Sequence, residues 1–269
     1  MIPEQTTKVL DIQIVARDTK KFVFSKPNNW DYKPGQFLSL KFTDRAFRAY
    51  SIASHPDEKN LELIVRLIEG GVGSTVLSKT KIGDEFMFRG AFGHFGLKEN
   101  RITLPLEQPK TPPSPLNEGE LEGEQKNNLI FCATGTGIAP FRSMVLEENK
   151  KNSPRPMTLL YGGRNAEDIA YLDEIRSWSS ELKICLALSR ELDQGVLHTW
   201  SEKIKATVIN GRITDFLDPS NTKTCQWHAS TSKELQFYIC GNGDMVMSVR
   251  KILLEQDIDK KQIIQERFN

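Results

Sequence analysis

Three things are scarce in this 269-residue chain, and each scarcity closes off a class of function. Cysteine is sparse and scattered: Cys132, Cys185, Cys225 and Cys240 form no C-x-x-C pair. That argues against a zinc site or a cysteine-held iron–sulfur cluster. Excess charge of either sign is missing, with 36 basic against 35 acidic residues and a formal net charge of +1. No basic stripe of the kind that binds nucleic acid interrupts the sequence. Long apolar runs are also absent, since nothing approaches the roughly 20 residues that cross a bilayer. The opening MIPEQTTKVLD is polar and carries an acid early, unlike a secretory leader. The expectation is a reduced, cytoplasmic monomer with no metal, no nucleic-acid partner and no membrane insertion.

What is present changes character along the chain. LDIQIVA, KFVFS, GQFLSLKF, AFRAYSIAS, LELIVRLI and DEFMFRG are separated by turn signals such as Lys33-Pro34-Gly35 and Gly83-Asp84. Six short strands at close spacing predict an antiparallel β-barrel over 1–104, with Leu10, Ile12 and Ile14 on one face of the first. GGVGSTVLSK leaves room for one helical turn between the fifth and sixth strands. Residues 105–127 are rich in proline, glycine and glutamate and bury too little to order themselves, so a flexible linker is expected. Over 128–269 the rhythm becomes strand, glycine, helix. LIFCA precedes PFRSMVLEENK, MTLLYGG precedes AEDIAYLDEIRSW, LKICLALS follows, and ELQFYICG precedes MVMSVRKILLEQ. This alternation predicts an α/β domain, a parallel sheet with helices on both faces.

Ligands bind such sheets beyond the carboxyl ends of the strands. Those ends read Thr134-Gly135-Thr136-Gly137, Gly162-Gly163-Arg164, Ser189-Arg190 and Cys240-Gly241-Asn242-Gly243. Gly135 and Gly137 allow a tight turn, and Pro140 suits the first turn of the helix that follows. The amino end of that helix would face a phosphate. An acid about 20 residues further on normally holds the ribose of NAD. Here the second strand ends in Gly-Gly-Arg and the third in Ser-Arg. A hydroxyl beside guanidinium groups suits the extra phosphate of NADP; the alternative is that Arg164 and Arg190 are ordinary surface arginines.

In the barrel, RAYS at 48–51 and Gly71-x-x-Ser74-x-x-Leu77, with Thr75 beside it, form a second possible diphosphate seat. Together with YKPGQF at 32–37, GAFGHFGL at 90–97, GTGIAPFRS at 135–143, SRE at 189–191 and CGNGDM at 240–245, this ordered set resembles the ferredoxin–NADP reductase family.

The resemblance implies FAD on the barrel, in preference to FMN, and NADPH or NADH on the second domain. By carry-over, Arg48 and Ala49 approach the flavin diphosphate, Tyr50 lies on the ring and Ser51 sits near its N5. Val65 and Arg66 line the flavin, and Gly71, Val72, Gly73, Ser74 and Thr75 hold the diphosphate. Thr134, Gly135, Thr136, Gly137, Gly241, Asn242 and Asp244 hold the nicotinamide nucleotide, and Arg164, Ser189 and Arg190 hold its extra phosphate. Cys240 packs beside the nicotinamide or is a small buried filler. Family members often end in Glu-x-aromatic. Phe268 would therefore cover the flavin and Glu266 assist transfer near Ser51, unless these residues are a functionless tail. The implied activity moves electrons between NADPH and a separate one-electron carrier such as ferredoxin or flavodoxin. The alternatives are an NADH-using reductase component of an oxygenase, and a flavin-binding electron-transfer subunit without nicotinamide turnover.

Overall fold

The computed structural model describes residues 3–98, 127–220 and 235–268. The expected linker at 105–127, apart from Asn127, lies outside the described residues, as does Cys225.

All six expected strands of the first half form: β1 (Gln5–Ala16), β2 (Thr19–Ser25), β3 (Phe37–Thr43), β4 (Ala46–Ser51), β5 (Asn60–Arg66) and β6 (Glu85–Phe92). They pair antiparallel in the order β4-β3-β6-β1-β2-β5. The two outer strands return to each other, and the Ala53 N–H donates to the Glu62 carbonyl at 2.8 Å, curling the sheet towards closure. Inside lie Val9, Phe22, Leu40, Leu61, Leu63 and Phe88, all fully buried. Each such side chain contributes roughly 1.5–3 kcal/mol by leaving water. One short helix, α1 (Val72–Leu77), occupies the connection between β5 and β6.

The face expected for β1 is only partly right. Ile12 packs against the barrel core, but Leu10 is 41 % exposed and Ile14 78 % exposed. Register shifts after Val9 and after Ile14 turn the strand. A one-residue shift in pairing sends side chains to the opposite face.

The second half is a six-stranded parallel sheet. Its elements are β7 (Asn128–Thr134), α2 (Ala139–Asn149), β8 (Met157–Gly163), β9 (Leu182–Leu188), α3 (Gln194–Ile204), β10 (Thr207–Asn210), β11 (Leu235–Asn242), α4 (Gly243–Glu255) and β12 (Ile263–Phe268). The strand order is β10-β9-β8-β7-β11-β12. Along β7 the side chains alternate between two cores. Phe131 and Ala133 join Phe141 and Met144 of α2, while Ile130 and Cys132 join Val246, Val249 and Leu253 of α4. The first of these cores also takes in Ala53, Ile64 and Phe95, so barrel and sheet share apolar packing.

Two expectations fail here. AEDIAYLDEIRSW is not a helix but two short 3-10 turns, at Ala166–Asp168 and Ile175–Ser177. Asn165 and Asp168 close the first turn with a reciprocal cap, and Tyr171 adopts φ +62°. The Ala170 N–H turns to the Tyr161 hydroxyl at 3.1 Å instead of a helical carbonyl. Ile169, Leu172, Ile175 and Trp178 are buried in the core that barrel and sheet share, but they reach it from turns and not from one helical stripe. Cys185 is disulfide-bonded, which departs from the expectation of a reduced chain in which it is a plain apolar filler. Cys132 and Cys240 are free and buried.

Among the described residues no helix is long and apolar enough to cross a membrane, and no cluster of side chains could hold a metal ion.

Candidate functional site

The order of the parallel sheet reverses between β7 and β11, and an open α/β sheet takes its ligand at such a point. Gly135, with φ +54°, makes the turn out of β7, and a 3-10 turn at Gly135–Ile138 runs directly into α2. Gly137 has a different cause. A Cβ there would stand 2.2 Å from the Cys240 carbonyl oxygen, so only glycine lets the two strand ends close up. Gly241, with φ +139°, is equally tight against Thr134, whose Oγ1 accepts from the Asn242 N–H at 3.3 Å. Asn242 then caps α4 by accepting from the Asp244 N–H at 2.9 Å.

Beyond these ends opens a cleft of about 780 Å³. It brings together Thr134, Gly135, Arg164, Ser189, Arg190, Asn242 and Asp244, all expected at the nicotinamide nucleotide. Ser189 and Arg190 are held against Arg164 by backbone bonds, Ser189 N–H to Gly163 O at 3.0 Å and Arg190 N–H to Arg164 O at 2.8 Å. The Ser189 hydroxyl donates to Gly163 O at 3.3 Å. Thr136, Gly137, Cys240 and Gly241 stand behind the wall and do not line it.

The opposite wall belongs to the barrel. Arg66 lines the cleft with the β1–β2 hairpin at 16–19, although sequence places Arg66 on the flavin side. Arg17 of that hairpin pairs with Glu167 at 2.8 Å, and its N–H donates to the Glu167 carbonyl at 2.8 Å. Arg17, Arg212, Thr214, Met245 and Ser248 also line the cleft and escaped sequence reasoning. A signal existed for Arg212 and Thr214, since Asn210-Gly211-Arg212 repeats the pattern of a glycine and arginine after a strand, but β10 itself was missed.

RAYS occupies the end of β4 at the barrel edge. Arg48 and Ala49 are exposed, Tyr50 is half-buried and Ser51 is buried. Tyr50 reaches the loop of α1, where a Cβ on Gly73 would stand 2.6 Å from its hydroxyl. Burial pushes the Tyr50 phenol up to about 12, against a smaller downward pull from Arg48, so it remains protonated at neutral pH. Gly71 caps α1 without a side-chain bond. The Ser74 hydroxyl accepts from the Ile68 N–H at 2.8 Å, and that of Thr75 donates to the Gly71 carbonyl at 2.9 Å. Both hydroxyls therefore shape the loop. Val65 is buried in the barrel.

Ser51 supplies the test of whether a flavin fits. Its Oγ is buried and has no hydrogen-bond partner. Such an orphan costs free energy unless a ligand satisfies it. A polar flavin edge beside β4 would do so, and the glycine-rich opening of α1 lies next to Tyr50 of the same strand. The residues present fit the group.

The last residues are not a frayed tail. Residues 263–268 form β12, in which Glu266 pairs with Cys240 and Phe268 with Asn242 of β11. Burial pushes the Glu266 carboxyl up to about 7. Cys240 is fully buried, and burial first, then the neighbouring Glu266, raises its thiol well above its usual range. Phe268 packs on the core that contains Cys240 and Ala53.

Comparison with known proteins agrees with this arrangement. Residues 6–96 match an oxidoreductase FAD-binding domain, and residues 131–251 match an oxidoreductase NAD-binding domain. The reductase component of propane 2-monooxygenase from Mycolicibacterium goodii is 25% identical, over 99% of this chain and 68% of its own length. Reductase component 1 of terephthalate 1,2-dioxygenase from Comamonas sp is 26% identical, over 91% of this chain and 62% of that relative. The chain thus spans about two thirds of the length of these relatives. A ferredoxin NADP+ reductase from Neisseria gonorrhoeae, solved with FAD and NADP, shares the fold with a TM-score of 0.72 at 23% identity, covering 98% of both chains. Two sheets, a cleft between them and an orphaned serine at the barrel edge agree with one reading: the chain joins an oxidoreductase FAD-binding domain to an oxidoreductase NAD-binding domain, with the fold of a ferredoxin–NADP reductase, and is an FAD-dependent NAD(P)H oxidoreductase.

Proposed function

We propose that the protein is the reductase of a multicomponent electron-transfer system, in which a nicotinamide nucleotide is the donor and an oxygenase component the acceptor. The cleft between barrel and sheet carries this reading, because one wall belongs to the flavin half and the other to the nucleotide half. The acceptor class rests on relatives whose names place them in propane and terephthalate oxygenase systems. We assign the flavin half to 1–104 and the nucleotide half to 128–269, joined by 105–127.

FAD, when bound, accepts a hydride from the nicotinamide and gives up electrons one at a time. The chain binds, orients and keeps water out. Arg48 and the amides of Gly71 to Thr75, Val72 and Gly73 included, hold the flavin diphosphate, Ala49 and Val65 flank it, and Tyr50 lies on the ring. Ser51 would offer its free, buried hydroxyl to a polar atom of the flavin edge, N5 by resemblance. Thr134 to Gly137, with Thr136 in the turn, seat the diphosphate of the nucleotide, and Gly241, Asn242 and Asp244 bound it from β11. Cys240, fully buried, backs the nicotinamide seat from behind the cleft wall as a small apolar filler. Glu266, able to hold a proton near neutrality, lies beside Cys240, and Phe268 would cover the flavin face at which the nicotinamide must enter.

For the donor we favour NADPH. Arg164 and Arg190 are paired through the backbone with Ser189 alongside, at the cleft, and an arginine fork suits a phosphate monoester better than a bare ribose. A ferredoxin or flavodoxin acceptor is the second reading, favoured by this same phosphate-suited end. Anaerobic reduction by NADPH and NADH, followed by reoxidation with a purified oxygenase component or with ferredoxin, distinguishes these readings. Reoxidation by ferredoxin alone would overturn the oxygenase assignment.

A further inference from the structure

The serine that would face the flavin and the turn that would hold the nucleotide belong to different sheets, yet one side chain ties them together. Arg142 lies on the first turn of α2, just beyond the Gly135–Ile138 cradle. Its guanidinium crosses into the barrel. Nη1 donates to the Ala53 carbonyl at 3.1 Å, two residues past Ser51. Nη1 and Nη2 form a fork on the Glu58 carboxylate at 3.0 and 3.1 Å. Nε donates to Glu174 at 3.3 Å and stands 3.6 Å from Glu62.

The partners are themselves fixed. Glu58 also accepts the His55 N–H at 2.5 Å, and Glu62 accepts the Tyr171 hydroxyl at 2.5 Å. Lys21 of β2 stands 3.8 Å from Glu62 and 3.5 Å from Glu174, and the Trp178 indole donates to Glu174 at 3.2 Å. Further along α2, Glu147 accepts from the His55 Nε2–H at 2.7 Å, and Lys150 meets Asp57. The loop that follows RAYS is thus docked along the helix that follows GTGI.

The shielded part of this ion cluster is a poor source of stability, because desolvation offsets most of its attraction, and its more exposed carboxylates, Glu58 at 39 % and Glu174 at 35 %, add little more. The Arg142 side chain is only 13 % exposed, and the Glu62 and Lys21 side chains 12 % each. Apolar contact between the halves already exists in the core that holds Ala53 and Ile64. What a bidentate fork adds is a single geometry. Hydride transfer needs reacting atoms about 3–3.5 Å apart, and a misplacement of about 1 Å can cost about 100-fold in rate.

We propose that Arg142 is a positioning residue for hydride transfer, fixing the nucleotide-bearing helix α2 against the Ser51 end of β4 and so setting the spacing of the two rings. This inference rests on the function proposed above. The test compares wild type with Arg142→Met and Arg142→Lys.

In the FAD-loaded proteins, Arg142→Met should bind NADP+ within about threefold of wild type. It should lose the long-wavelength charge-transfer absorbance of stacked rings and be reduced at saturating NADPH about 100-fold more slowly. Arg142→Lys should recover less than a tenth of the loss, because an ammonium cannot form the fork. In the flavin-free protein, the amides of Ala53 and His55 should exchange at least tenfold faster in Arg142→Met, while the cores of both sheets keep their protection. An unchanged saturated rate and unchanged charge-transfer band in Arg142→Met would overturn the positioning role alone. So would a slower rate that follows entirely from weaker nucleotide binding or lower flavin content. If wild type is reduced by neither nucleotide, the proposed function fails and the positioning role with it.

Discussion

Three residues carry the sharpest predictions. Ser51 is buried with an unpaired hydroxyl, so Ser51→Ala removes an orphan as well as a ligand contact. It should leave the flavin-free protein at least as stable as wild type in thermal unfolding, and slow flavin reduction about tenfold, the worth of one net hydrogen bond. Arg190→Ala should weaken NADPH about 10- to 100-fold while NADH is unaffected, as steady-state kinetics with the two donors would register. Glu266 sets a pH dependence whose sign follows from its burial. Its carboxyl titrates near 7 in the folded chain against an ordinary value of 4.5. Between those pH values the folded chain holds a proton that the unfolded chain has lost, so stability falls as pH rises through the window. Denaturant titrations from pH 4.5 to 7.5 should show that fall in wild type and a flatter profile in Glu266→Gln. Ser51 was legible in sequence because it sits in RAYS, a local pattern. Arg17 was not, since its role depends on Glu167, a partner 150 residues away.

At the level of elements, close approach decides more than propensity. The two glycines of the cradle look equivalent in sequence and are not. A Cβ on Gly135 meets nothing within 4 Å, whereas one on Gly137 falls 2.2 Å from the Cys240 carbonyl, on backbone that cannot swing away. Gly135→Ala should cost only the left-handed backbone penalty, about 1–2 kcal/mol. Gly137→Ala must push β7 and β11 apart, adding about 1–3 kcal/mol of overpacking on top of displaced nucleotide residues. Thermal unfolding of the two variants should rank them in that order, and only Gly137→Ala should abolish nucleotide binding. Most strands were legible, because their apolar periodicity and turn residues are local. The helix expected at AEDIAYLDEIRSW failed because its apolar residues meet the shared core from two 3-10 turns, a pattern whose spacing mimics a helical stripe. α3 was passed over although Asp193 caps it, accepting from the Gly195 N–H at 2.7 Å. β12 carries no strand signal of its own in the sequence, because its reason to be a strand is the edge of β11, which no local window contains.

For the whole molecule, what matters is that two sheets joined by shared apolar packing also share one cleft and one brace. Each half was readable from its own motifs, but their juxtaposition was not. Arg66, expected beside the flavin, lines the cleft between barrel and sheet, and the Arg142 network joins residues from four separate stretches of chain. The account stands or falls on electrons crossing that cleft. Anaerobic mixing of the FAD-loaded protein with NADPH or NADH, followed at the flavin absorbance band, tests it most directly. The account predicts full bleaching by NADPH in a single-turnover phase, slower bleaching by NADH, and return of the band when a one-electron acceptor protein is added. A flavin that stays oxidised with both nucleotides would contradict it.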